Sequence, residues 1–154
     1  GMAAGVISGI EKYFKRVPKI IIVEPESADC VLKSVENGLI KKIEIKKESI
    51  MGGMSCGEVS LIPWKIIKNS VNMCLSISDD NIAMLANCSF TDEKIIGGEC
   101  SAPGVISLIA SYNSKEIKEN LSLDENSNIL LIGCEGNADE NLYNKLLSEG
   151  MKQI

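Results

Sequence analysis

The sequence predicts an α/β fold: three layers, with a mostly parallel sheet carrying helices on both faces. Three observations lead there. Continuous apolar runs at residues 20–23, directly after Lys19, and 129–132 have the composition of strands buried on both sides. Between such runs, apolar residues recur every three or four positions, the spacing of an amphipathic helix. Glycine, proline and small polar residues mark the changes from one period to the other. Strands alternating with helices are the pattern of a parallel sheet closed by crossover helices.

The elements follow in order. Ala3, Val6, Ile7, Ile10, Tyr13 and Phe14 share one helical face, so residues 2–16 read as a helix that ends before Pro18. A helix that begins at once leads us to expect a preceding segment. Residues 19–23 form a buried strand stopped by Glu24-Pro25, and "SADCVLKSVENG" forms a helix closed by Gly38. In "KKIEIKK", residues 41–47, Ile43 and Ile45 alternate with charges, as a half-exposed strand requires. The stretch "SIMGGMSCGEVS" is a loop of small residues, in which Met51 and Met54 cover a pocket or fill a core gap.

A helix over residues 61–68 tolerates Pro63 only in its first turn, and Trp64 on it reads as a packing residue. "NMCLSI" is the next strand; Ser78 or Asp79 then caps a helix carrying Ile82, Leu85 and Ala86. "EKIIGGEC" reads as a short strand. Pro103 opens a helix over residues 103–112 that presents Val105, Ile106, Leu108, Ile109 and Tyr112. "SKEIKENLSL" is a further helix, residues 129–132 the last strand, and Leu142, Leu146 and Leu147 the stripe of the final helix. No repeat or low-complexity linker interrupts the 154 residues, which read as one α/β domain.

Composition excludes several functions. The net charge is −5 with mixed signs, and the sole basic cluster is the alternating 41–47 run, so neither nucleic acid nor an anionic membrane is an expected partner. No stretch approaches the ~20 apolar residues of a membrane span, and no signal peptide is legible, so a cytoplasmic location is expected. The chain has no histidine, and Cys30, Cys56, Cys74, Cys88, Cys100 and Cys134 form no CxxC pair. The usual mixed zinc sites are therefore not expected, and reduced thiols are.

Two strand ends share one chemistry. Gly97-Gly98-Glu99-Cys100-Ser101 and Gly133-Cys134-Glu135-Gly136-Asn137 each set small polar residues beside glycines. At carboxyl ends of parallel strands such residues line a ligand crevice, or simply turn the chain toward its next helix.

Four blocks in order, "IVEPESADCVLKS", "IMGGMSCGEVSLIPWKII", "GGECSAPGVISL" and "LIGCEGNADENLY", resemble the carboxyl-terminal part of the diaminopropionate ammonia-lyases. These are fold-type II pyridoxal-phosphate enzymes, related to threonine dehydratase and the tryptophan synthase β-subunit. The second block is the most specific. The resemblance implies pyridoxal 5'-phosphate as cofactor and an amino-acid substrate, 2,3-diaminopropionate, taken to pyruvate and ammonia. It implies that Cys134 stands where the family places a small hydroxyl or thiol on the pyridine nitrogen. Glu99 matches the glutamate near the ring edge, beside Gly98, although Cys100 and Ser101 depart from the family's "GESG". Gly136 and Asn137 shape the turn. Ala3, with Ala4 and Gly5, resembles the start of the helix after the phosphate loop, and a helix amino end suits an anion.

The resemblance also places Cys30 near Cys56, so that either a bridge or, in a reducing compartment, free thiols are compatible with it. It puts the Schiff-base lysine and the acid-base groups in an amino-terminal half, on the same chain or a separate one, that has no counterpart here. No catalytic residue is therefore assigned to this chain, and alone it is expected to be inactive. The parent enzymes imply a homo-oligomer, a homodimer. Two other readings stand beside this one: a non-catalytic α/β module that binds a ligand or a subunit, and a fragment of a related serine or threonine dehydratase.

Overall fold

The computed structural model describes residues 1–152. The chain forms two compact units: Gly1–Ser49 with Met54–Ser76, and Ile50–Gly53 with the chain from Ile77 onward.

The first unit holds α1 (Met2–Tyr13), β1 (Ile21–Pro25), α2 (Cys30–Asn37), α3 (Leu61–Ser70) and most of β2 (Met73–Ile77). Its core forms where Ala4, Ile7 and Ile10 of α1 meet Trp64 and Ile67 of α3 over Ile20 and Ile22. The packing role expected of Trp64 is observed. The strands β1 and β2 lie side by side in a parallel, two-stranded sheet. Asn72 sets their start: its amide oxygen accepts the Ile20 N–H at 2.7 Å while its own N–H donates to the Ile20 carbonyl at 2.9 Å. Helix α1 stops three residues earlier than its apolar spacing suggests, because Phe14 is already extended at φ −87°, ψ 134°. Gly38 closes α2 as expected, at φ +70°, a left-handed conformation that glycine adopts without a Cβ penalty.

The amino end of α2 is finished by a residue six positions before the helix begins. Glu24, at the end of β1, is buried, and its carboxylate accepts the N–H groups of Val31 at 3.0 Å and Leu32 at 2.8 Å. These are two of the first-turn donors that a helix leaves unsatisfied. Asp29, at the N-cap position, makes no such bond.

The second unit is helical: α4 (Ile82–Glu93), α5 (Pro103–Asn113), α6 (Lys115–Leu121) and α7 (Glu140–Gly150). Helix α7 lies against α4, with Leu146 among Ala83 and Ala86. Approach is closest at Gly150, where an added Cβ would stand 2.3 Å from the Ala83 carbonyl oxygen. Asn87 donates to the Leu147 carbonyl at 3.0 Å, and Phe90 meets Tyr143 edge-on, ring centroids 6.2 Å apart. The N-cap position expected at Ser78 or Asp79 is held instead by Asn81, because α4 begins at Ile82, and the Asn81 side chain makes no capping bond. Asp79 instead accepts the Ile50 N–H at 3.1 Å.

The α/β class is observed, but the sheet is smaller than the apolar runs suggested. Residues 41–47 keep the expected alternation, with Ile43 and Ile45 half-buried and the charges exposed, yet form no ladder. Residues 95–98 and 129–132 are likewise outside any strand, and Ile95, Ile96 and Ile129 to Ile132 are exposed. A strand exists only when a neighbour accepts its main-chain bonds, and among the described residues none of these three segments is paired in a ladder. Helix α5 also differs from expectation. Ser107 and Ser111 are buried, their hydroxyls donating to the carbonyls of Gly104 and Ser107, whereas Ile109 and Tyr112 are exposed. Serine tolerates that face because the helix's own carbonyls satisfy its hydroxyl.

Candidate functional site

The two glycine-rich turns of the second unit lie against each other. Gly98 donates its N–H to the Glu135 carbonyl at 3.0 Å, and the Ser101 hydroxyl donates to the same oxygen at 2.8 Å. The Glu135 carboxylate accepts the Cys100 N–H at 2.9 Å. Gly98 has no room for a side chain, since a Cβ there would stand 2.4 Å from the Gly136 carbonyl oxygen and 2.9 Å from Glu135 Cγ. The requirement for glycine is therefore one of close approach between two backbones.

Of the residues singled out from the sequence, Gly98, Glu99, Cys134, Gly136 and Asn137 all belong to this pair of turns. Gly98 is buried, Glu99 is half-buried in a single 3₁₀ turn (Glu99–Ser101), and Cys134, Gly136 and Asn137 are exposed. Ala3 belongs to the first unit, in the first turn of α1, where it is half-buried. The Cys134 thiol thus stands at the surface, and the strand expected to deliver it is an exposed, unpaired segment instead.

Glu135 and Ser101 stand in the two turns singled out from the sequence but were given no role there; with the Gly98 and Cys100 N–H groups they make the bonds joining the turns. The only local sign was their position beside glycines; their partners lie 34 and 35 residues away. Glu99, Cys100 and Glu135 each offer a potential ligand atom, all within 4.8 Å of one another. Burial pushes the Cys100 thiol up to about 12, with the hydrogen bond and charge of Glu135 adding to the effect, so it is a protonated thiol at neutral pH.

All six cysteines are free. In the first unit, burial and then the Glu24 carboxylate push Cys30 up to about 12, and Cys74 is likewise pushed up to about 12 by burial. The bridge between Cys30 and Cys56 that the resemblance allowed is not formed; the free thiols it also allowed are what the structure holds.

Residues 1–135 match the pyridoxal-phosphate dependent enzymes, and the chain belongs to that family. Diaminopropionate ammonia-lyase from Escherichia coli K12 is 32% identical over 161 residues, an alignment covering 99% of this chain and 40% of the relative. A crystal structure of the Escherichia coli diaminopropionate ammonia lyase, in complex with an aminoacrylate-PLP azomethine reaction intermediate, superposes with a TM-score of 0.80 at 30% identity, over 97% of this chain and 39% of the other. L-serine dehydratase from Dictyostelium discoideum is 29% identical over 139 residues, 89% of this chain and 38% of the relative. The chain therefore spans about 40% of the length of the curated relatives it matches, and it matches the carboxyl-terminal portion of diaminopropionate ammonia-lyase.

Proposed function

We propose that the chain is the cofactor-positioning carboxyl-terminal part of an enzyme that eliminates ammonia from 2,3-diaminopropionate to leave pyruvate. The observation that carries this reading is the alignment with diaminopropionate ammonia-lyase along nearly the whole chain, at 32% identity. The two clamped turns support it, because they gather the residues assigned to the cofactor ring. The fit to pyridoxal phosphate rests on the donors present. Cys134 offers an exposed thiol to the ring nitrogen, and Gly98 and Glu99 stand in the neighbouring turn for the ring edge. Gly136 and Asn137 turn the chain away after Cys134. Ala3 keeps the assignment to phosphate, since the first N–H groups of α1 have no partner within the helix and suit an anion.

Pyridoxal phosphate, when bound, supplies an electron-withdrawing ring that spreads the charge left at the substrate's α-carbon. A neutral thiol at the ring nitrogen holds no charge against it, unlike a carboxylate, and so leaves that nitrogen largely unprotonated. Cys134 thereby moderates the ring's pull. The proton at the α-carbon falls to groups outside this chain, in the amino-terminal part of the complete enzyme. A cytoplasmic homodimer is part of the same reading. Its support is the absence, among the described residues, of any helix long and apolar enough to cross a membrane, together with the exposed side chains of Leu61 and Ile62.

The test joins this chain to the amino-terminal 60% or so of the Escherichia coli enzyme, the share its alignment leaves uncovered. Ammonia and pyruvate released from 2,3-diaminopropionate support the proposal. Release from serine or threonine alone moves the chain to the related dehydratases, and a folded, cofactor-loaded hybrid with no elimination supports a binding module.

A further inference from the structure

We propose that Glu135 is the positioning residue of the candidate site: it clamps the turn that carries Cys134 onto the turn that carries Gly98 and Glu99. Its main-chain oxygen takes two donors, the Gly98 N–H at 3.0 Å and the Ser101 hydroxyl at 2.8 Å. Its carboxylate takes a third, the Cys100 N–H at 2.9 Å. One residue thus takes donors from Gly98, Cys100 and Ser101 of the opposite turn with both its backbone and its side chain. The glycines make room for this: a Cβ on Gly98 would stand 3.0 Å from Glu135 Oε2, and one on Gly53 would stand 3.6 Å from Oε1 and 3.2 Å from Cys100 Sγ.

Cys134 precedes Glu135 directly. Its own side chain is exposed, so burial does little to hold it in place. Main-chain placement must come from its neighbour, and Glu135 supplies it. A charged acceptor bonded to a main-chain N–H is stronger than a neutral one, which makes the carboxylate the stiff part of the clamp. Burial first, and then the same carboxylate with a smaller contribution from Glu99, disfavour a thiolate at Cys100, keeping that sulfur a donor rather than a competing anion. The purpose of the clamp rests on the cofactor reading above, but its existence does not.

The test uses the whole chain without cofactor, comparing Glu135→Ala, Glu135→Gln and Ser101→Ala with the parent. It reads amide exchange at Cys100, the alkylation-pH profile of Cys100, and the anisotropy of a bimane on Cys134 in a Cys56→Ser background. Losing a bond of this kind should speed Cys100 exchange about tenfold in Glu135→Ala, lower the anisotropy at Cys134 and move Cys100 alkylation to lower pH. Glu135→Gln, which keeps an acceptor, should restore exchange and anisotropy while leaving the alkylation profile shifted. Should Glu135→Ala not fold, Ser101→Ala must still lower the anisotropy at Cys134. The proposal is overturned if the Cys100 amide and the Cys134 probe behave as in the parent, or if exchange rises uniformly over the second unit, which would mark general destabilisation. Since no cofactor is present, failure here is distinct from failure of the enzymatic reading.

Discussion

At the scale of single residues, Glu24, like Glu135, carries more of the structure than its neighbours suggest. Glu24 is 7% exposed, and burial raises its pKa above the usual 4.5 despite the two N–H groups that oppose the shift. A carboxyl whose folded pKa is raised contributes stability that is fully present below its unfolded pKa and is lost as pH rises through its folded pKa. The chain should therefore lose stability as pH climbs from about 4.5, and Glu24→Gln, neutral throughout, should remove that part of the slope in urea titrations run at several pH values. Glu24→Ala should cost about 1–3 kcal/mol, because it strands two half-buried N–H groups at the start of α2. Gly98 makes the complementary point. Gly98→Ala should part the two glycine turns, read as faster amide exchange at Cys100, since its Cβ has no space beside the Gly136 carbonyl.

At the scale of elements, the α4–α7 contact shows how a helix pair is set by its smallest residue. Gly150→Ala pushes a methyl group into the Ala83 carbonyl and Asn87, and neither can yield without moving α4. We expect a loss of about 1–3 kcal/mol, the usual cost of overpacking, measured by chemical denaturation. Leu146→Ala, which leaves a cavity in the same contact, should cost about 2–5 kcal/mol. Two helix boundaries were legible, Pro103 opening α5 and Gly38 ending α2, whereas Asp139, which accepts the N–H groups of Asn141 and Leu142 at the start of α7, was missed as a cap. The orientation of α5 was not legible. Its apolar residues outnumber its serines, yet the serines face inward, because neighbours rather than periodicity select the buried face.

At the scale of the whole molecule, the exposed run at residues 129–132 is the principal departure from a finished globular surface. Four consecutive apolar residues, each more than 40% exposed, suit the inside of a sheet and expose an unpaired backbone. The chain should accordingly bind the dye ANS, and Leu130→Lys should reduce that fluorescence and raise solubility without lowering helix content by circular dichroism. Loss of helix in the variant would mean that the run already packs in solution.

The sequence by itself determined the α/β class, most helix limits, and the membership of a cofactor family, because these depend on periodicities of a few residues and on ordered short motifs. It also brought the two glycine turns forward as one candidate crevice. Only the tertiary structure decided that Glu24 finishes α2, that Glu135 and Ser101 join the turns, and that residues 41–47, 95–98 and 129–132 form no ladder. Each of these outcomes depends on whether a donor meets an acceptor brought close by folding, up to 35 residues away for Glu135. A local pattern records what a segment would bury, but the partner that buries it is chosen by the fold.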